Sequence, residues 1–291
     1  MDPRIAMIGF GEAATAFVTG WALPDPGRIT AYDIRSSDPA QAGAMQARQS
    51  ALGVRPAQTA ADALADADVV FCLVTADQAD EAARAAVASG ALRRGTVWFD
   101  GNSCAPDTKR AAAARIKAAG GCYIDMAIMA PVHPQGHRVP IKLAAPQAAA
   151  AAAILSALGM RPEVVGDHVG AASTIKMLRS VMIKGLEALV AECFLAARRA
   201  GVEDQVIASL EASDPDIAWR QRGAYTMERM MVHGARRAAE MREVAKTVDG
   251  LGLYPGLSQA TAEWQDRVAA THAEPGEAAL IARLDRVLAG L

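Results

Sequence analysis

Across residues 4–126 the chain alternates short apolar runs with Ala-rich stretches of helical spacing. That rhythm predicts repeated βαβ units, in which a parallel sheet is buried between two layers of helices. The strand candidates are Ile5–Gly9, Ile29–Asp33, Val69–Val74, Val97–Asp100 and Cys122–Asp125, with a shorter one near Gly53–Arg55. Asp38-Pro39, Thr59 and Ala105-Pro106 mark helix starts, because Asp and Thr side chains accept from free N–H groups and proline fits a first turn. Beyond them, Val139–Leu143, an Ala-rich helix opened by Pro146, and Arg161–Val165 read as strand, helix and strand that extend the sheet.

The pattern changes after Gly166. From Val169 to about Ala200 there is no proline, and Ile175, Met177, Leu178, Val181, Met182, Leu186 and Leu189 recur at helical spacing, which predicts one long helix. The remainder reads as all-helical, punctuated at Gly201, Asp214-Pro215, Gly234, Gly252-Leu253-Tyr254-Pro255 and Pro275-Gly276. The expected architecture is α/β: a Rossmann-type doubly wound parallel sheet over residues 1–166, then a long interdomain helix and an all-α domain over residues 167–291. Met177, Met182, Met227, Met230 and Met231 read as helix-core packing rather than as a pocket for a bulky ligand.

Composition narrows the function. The 291 residues are 52% hydrophobic with a formal net charge of -2, which leaves no electrostatic footprint for nucleic acid or an anionic membrane. The first residues lack a signal-peptide pattern, and the Ala148–Leu155 run falls far short of the ~20 residues of a spanning helix, so a cytoplasmic protein is expected. Four separated cysteines (Cys72, Cys104, Cys122, Cys193) fit reduced, mostly buried thiols. His133 and His137 flank Pro134 and Gly136, which argues for a loop rather than a metal-binding helix.

The chemistry begins at Gly9-Phe10-Gly11-Glu12-Ala13-Ala14, a Gly-x-Gly-x-x-Ala that directly follows the first strand and opens a helix. Gly9 permits the tight turn, Gly11 removes the side chain that would block a pyrophosphate, and Ala14 lets helix pack on strand. The phosphates then meet free N–H groups at the positive end of the helix dipole. Asp33, at the end of the second strand, stands where an acid accepts from the adenosine ribose, which favours NAD. Arg35, Ser36 and Ser37 follow at once and would suit a 2′-phosphate, so NADP stays open. Thr75 and Asn102, after later strands, border the cofactor edge by the same logic.

A second motif opens the long helix: Gly170-Ala171-Ala172-Ser173-Thr174-Ile175-Lys176-Met177-Leu178-Arg179-Ser180. On a helix Lys176 shares a face with Ala172, Ser173, Arg179 and Ser180, so a ligand approaching over small residues meets Lys176, Arg179 and Ser180 together. With Asp100-Gly101-Asn102-Ser103-Cys104-Ala105-Pro106 and Asp125-Met126-Ala127-Ile128-Met129-Ala130-Pro131 in matching order, the chain resembles the β-hydroxyacid dehydrogenase family, as a divergent subgroup with a small, distinct C-terminal helical domain.

The resemblance implies an NAD(P)-dependent dehydrogenase acting on a small hydroxy acid, with Lys176 as general acid/base, and a homodimer formed through the C-terminal helices. It also places Ser103, Met129 and Ala130 beside the substrate. Two departures stand out: the family's loop Ser-Gly-Gly is here Met129-Ala130-Pro131, and the Asn four residues after the lysine is Ser180. Arg179, His233 and Arg236 or Arg237 are the cations left to hold an anionic substrate, although Arg236 and Arg237 also read as a solvated helix face. An imine reductase or a non-catalytic dinucleotide-binding assembly module are the alternative readings; an intact Lys176 weighs against both.

Overall fold

The computed structural model describes residues 3–291, and the chain divides into two compact units, Met1–Lys176 and Met177–Leu291. The last strand ends at Gly166, and the division between units falls a little later, inside the long helix.

The first unit is built on eight strands: β1 (Ile5–Ile8), β2 (Ile29–Tyr32), β3 (Arg55–Pro56), β4 (Val69–Cys72), β5 (Val97–Asp100), β6 (Cys122–Ile128), β7 (Pro140–Ala144) and β8 (Arg161–Gly166), in the order β3-β2-β1-β4-β5-β6-β7-β8. The sequence of β1, Ile-Ala-Met-Ile, shows why it is central. A strand covered on both faces must be apolar throughout, and all four residues are buried. Ile5 and Met7 enter one core with Phe71, Phe99 and Ile124, while Ala6 and Ile8 enter the other with Val70, Trp98 and Tyr123. In the first core the Trp21, Phe71 and Phe99 rings follow one another at centroid distances of 5.0 and 5.1 Å.

The expected parallel sheet is realised in every pairing but one, since β6 and β7 are antiparallel. An antiparallel neighbour needs no crossover helix, and residues 129–139 carry Pro131, Pro134 and Gly136, which admit only a short turn at Gly136–Arg138. His133 and His137 lie in this loop.

The helices of the first unit are α1 (Glu12–Trp21), α2 (Ala42–Ala51), α3 (Ala60–Leu64), α4 (Ala79–Ala88), α5 (Pro106–Ala118) and α6 (Ala148–Ala157). Thr59 caps α3 in a reciprocal box with Asp62, and Pro106 occupies the first turn of α5, as expected. Asp38-Pro39 does not open α2: Asp38 turns the chain by accepting from Ala40 N and Gln41, and the helix begins at Ala42. Cys72 and Cys104 are buried, whereas Cys122 is half-buried and Cys193 exposed, so the expectation of mostly buried thiols holds for two of the four.

Helix α7 (Ala171–Ala200) carries the chain into the second unit, which adds α8 (Glu203–Ser213), α9 (Trp219–Gly250), α10 (Gly256–Ala270) and α11 (Leu280–Gly290). Phe194, Met227, Met230, Leu284 and Val287 form its main core. Met177 is likewise fully buried, but Met182 is 74% exposed, so the methionines are not uniformly core residues. Gly234 does not interrupt α9. A Cβ there would lie 2.6 Å from the Gln265 carbonyl oxygen and 2.9 Å from Ala269 Cβ, so the glycine allows α10 to approach α9 closely.

Two effects compete at this position. Gly→Ala inside a helix gains about 1 kcal/mol from propensity, while overpacking costs about 1–3 kcal/mol. Because the atoms struck include backbone, Gly234→Ala is expected to lower stability by about 1–2 kcal/mol; a urea unfolding midpoint that rises instead would contradict this packing.

Candidate active site

The Gly9–Gly11 turn is fixed by β4. Gly9 has φ +87°, donates its N–H to Tyr32 O at 2.8 Å, and leaves no room for a Cβ, which would sit 2.5 Å from Leu73 O. Gly11 caps α1 without a side-chain bond, and a Cβ added to it would meet nothing closer than Arg35 Nη2 at 3.7 Å. The N-terminus of α1 thus lacks a side-chain cap and is preceded by a residue with no side chain, features that suit an anion. Phe10 is buried and offers the site its backbone alone; Glu12 is exposed, Ala13 half-buried, and Ala14 is fully packed against the strand layer.

Asp33 follows β2 and is 5% exposed. It accepts from Phe10 N at 2.8 Å, from Arg35 N and Nε at 3.0 Å each, and from Arg35 Nη2 at 2.9 Å. Burial pushes its carboxyl up, but the Arg35 guanidinium and the two backbone donors outweigh that and hold it below the usual carboxylate value. Arg48, from α2, donates to Phe10 O at 3.5 Å. Thr75 lies exposed after β4. Asn102 is buried and spans two strand ends: its Oδ1 accepts from Val74 N at 2.7 Å and its Nδ2 donates to Cys72 Sγ at 3.3 Å. It shapes the rim on which Thr75 stands.

A buried ionic cluster lies on the α5 side of the sheet. Asp100 and Asp125 are register partners on β5 and β6. Lys109 of α5, with 1% of its side chain exposed, donates to Asp100 Oδ1 at 2.9 Å and to Asp100 O at 2.5 Å, and pairs with Asp125 Oδ1 at 3.6 Å. Tyr123 donates its hydroxyl to Asp100 Oδ2 at 2.6 Å. Burial alone would push the Lys109 ammonium down, yet the two carboxylates overcome it and hold the group above its ordinary value. Burial, then the Asp100 charge, drives the Tyr123 phenol well up.

The second oxygen of Asp125 accepts from Gly170 N and Ser173 N at 3.0 Å each and from Ser173 Oγ at 3.1 Å. It thus caps α7 and brings the first turn of that helix, with half-buried Lys176, to the carboxyl side of the sheet. Ser103 is half-buried after β5, and Met129 and Ala130 are half-buried after β6, with Met129 N donating to Pro140 O at 2.9 Å.

Within the second unit, Arg179 is exposed, and Ser180 is buried and accepts from Lys184 Nζ at 3.4 Å. Lys184 in turn pairs with Glu240 at 2.7 Å. Arg237 is not on a solvated face: it is buried and makes a two-pronged pair with Glu187, which also accepts from Gln265 Nε2 at 2.8 Å. Its guanidinium is committed, because a buried glutamate on the facing helix requires it. His233 and Arg236 are half-buried on α9.

Residues 4–132 match the NAD binding domain of 6-phosphogluconate dehydrogenase, and residues 197–268 match a domain of unknown function, DUF1932. A conserved hypothetical protein of Sinorhizobium meliloti 1021 is 39% identical over 100% of this chain and 97% of its own, with a TM-score of 0.72. The conserved protein MTH1747, of unknown function and structurally similar to 3-hydroxyacid dehydrogenases, is 28% identical over 90% of this chain and 97% of its own, with a TM-score of 0.64. The chain belongs to the β-hydroxyacid dehydrogenase family. An uncharacterized 28.5 kDa protein of Methanothermus fervidus is 34% identical over 113 residues, which are 37% of this chain and 43% of that relative.

In this member of the family, Lys109, Tyr123, Lys184, Glu187 and Glu240 belong to the two ionic networks and were not singled out by sequence reasoning. One signal was available: Asp100 and Asp125 both stand at the polar ends of apolar strand runs, and two buried acids require a cation. Lys109→Met is expected to leave those acids without their shared cation and to cost about 3–5 kcal/mol of stability. Chemical denaturation of the variant measures this, and a loss below 1 kcal/mol would exclude the cluster as a structural requirement.

Proposed function

We propose that the protein is an NAD(P)-dependent oxidoreductase that moves a hydride between a nicotinamide cofactor and a small hydroxy acid or related carbonyl compound. The observation that carries the reading is the combination of an uncapped α1 behind a glycine turn with Lys176 held at the carboxyl side of the same sheet by the Asp125 cap. Open α/β sheets bind ligands along that edge. The residues fit a dinucleotide: Gly11 puts no side chain in the way of a pyrophosphate, and the N-terminus of α1 has no side-chain cap to compete with it for the first N–H groups.

When bound, the nicotinamide ring accepts or gives the hydride. The protein's own part is to orient and to move a proton. Lys176 takes the proton of the substrate hydroxyl as its carbon loses hydride, and in the reverse direction returns it to the forming alkoxide. Asp125 and Ser173 fix the first turn of α7, one turn before Lys176. Arg179, three positions beyond Lys176 on the same helix, is the candidate for holding an anionic substrate; Arg237 is excluded by its pair with Glu187.

No described helix is long and apolar enough to cross a membrane. On the helical unit, Leu178, Met182 and Leu189 of α7 and Tyr225 and Val232 of α9 are exposed. Such a set supports burial against a second copy of the chain.

Addition of NADH or NADPH is expected to raise the melting temperature of the purified protein. In a screen of hydroxy acids, Lys176→Ala should lose about 10²–10⁴-fold in turnover while cofactor affinity stays within about twofold. Turnover unchanged in the variant would remove Lys176 from the proton transfer, and dinucleotide binding without any turnover would favour an assembly role. Light scattering is expected to give twice the 30.3 kDa chain mass, and Met182→Glu should reduce it to one; a wild-type monomer would dismiss the dimer.

A further inference from the structure

The carboxylate that should read the ribose is already saturated. An ionised carboxylate offers about four lone-pair positions. In Asp33 all four are taken: Oδ1 by Arg35 N and Nε, Oδ2 by Phe10 N and Arg35 Nη2. Two of these donors are backbone groups that anchor the turn, so a ribose diol reaches Asp33 only by expelling the Arg35 guanidinium. Breaking a pair whose acid side chain is 6% exposed leaves that charge without its cation, a costly step.

Arg35 uses only one edge on Asp33. Its Nε and one Nη2 hydrogen are spent there, leaving the end-on edge of two Nη1 hydrogens and one Nη2 hydrogen. The side chain is 41% exposed, and Nη2 lies 3.7 Å from where a Gly11 Cβ would sit, at the N-terminus of α1. An edge of that kind matches a phosphate monoester in two-pronged fashion. Arg48 is a second guanidinium at the same turn, through Phe10 O, and Ser36 stands half-buried next to Arg35. The carboxylates of this stretch are Asp33 itself, the exposed Glu12 of α1, and Asp38, whose oxygens accept from Ala40 N and Gln41.

We infer that Asp33 serves as the support of Arg35 rather than as a ribose acceptor, and that Arg35 selects the 2′-phosphate, so that the cofactor is NADP(H). An acid at the end of β2 would by itself point to NAD; here its partner reverses the sign of what it presents. The inference rests on the reading of the first unit as a nicotinamide-dinucleotide site and sharpens it to one cofactor.

Fluorescence titration of the purified protein with NADPH and with NADH, at one ionic strength, tests it. NADPH is expected to bind at least about tenfold more tightly, the scale of one charge-assisted phosphate contact. Arg35→Ala should lose that advantage by weakening NADPH about tenfold or more, while NADH binding holds or improves because Asp33 becomes available to the diol. Equal or tighter binding of NADH by the wild type would overturn the inference but leave the dinucleotide site standing. Binding of neither nucleotide would overturn the site itself. If Arg35→Ala does not fold, competition on the wild type decides: 2′,5′-ADP must displace NADPH at least about tenfold better than 5′-AMP, and equal displacement would overturn the assignment.

Discussion

The ammonium of Lys109 is almost completely withdrawn from water, and that single placement dictates much of what surrounds it. A charge so buried persists only with opposite charge in contact. Asp100 supplies the contact, Asp125 stands a little farther off, and the two carboxylates together exceed the charge of one lysine. The excess is met by donors rather than by a second cation: the Tyr123 hydroxyl on Asp100, and the N–H groups of Gly170 and Ser173 with the Ser173 hydroxyl on Asp125. Because those last donors belong to the N-terminus of α7, its dipole is part of the balance. Compensation thus runs from α5 through two strands to the helix that bears Lys176.

The helical unit uses buried ions on a different geometry. Lys184 and Glu187 on α7 meet Glu240 and Arg237 on α9, one turn apart on each helix, with Ser180 and Gln265 completing the set. Apolar side chains between two long helices tolerate sliding by a turn, whereas a two-pronged Arg–carboxylate pair has one geometry. The pairs therefore set which residues of α9 stand beside α7. They also explain why Arg237 has no freedom to reach a ligand.

Much of the fold was legible because its signals are local. Apolar runs marked every strand of the sheet except the two-residue, exposed β3, Thr59 and Pro106 announced their helices, and Gly9–Ala14 declared the turn. What escaped depended on contacts distant in sequence. Gly234 reads as a break, but its reason is a carbonyl on α10. Arg237 reads as solvated because nothing near it reveals Glu187, fifty positions earlier. The β6–β7 pairing runs antiparallel because a proline-bearing loop replaces a crossover helix, and strand composition does not encode direction. At the candidate site the turn, Asp33 and Lys176 were visible one by one, while the saturation of Asp33 by Arg35 and the capping of α7 by Asp125 are facts of three-dimensional arrangement.

The register of the sheet has a consequence of its own. Tyr32, Ile8, Cys72, Asp100, Asp125, Ala144 and Gly166 are successive partners and form one transverse row across seven strands. Asp33 and Gly9 come one residue beyond it, and the two acids of the ionic cluster, Asp100 and Asp125, lie within it. Side chains alternate faces along a strand, so slipping one strand by a single residue would turn its members of the row toward the opposite core. Insertions and deletions should therefore accumulate in the turns at the amino ends of the strands. Side chains within a strand can be exchanged without moving this row, whereas a residue added or lost inside a strand displaces every partner beyond it.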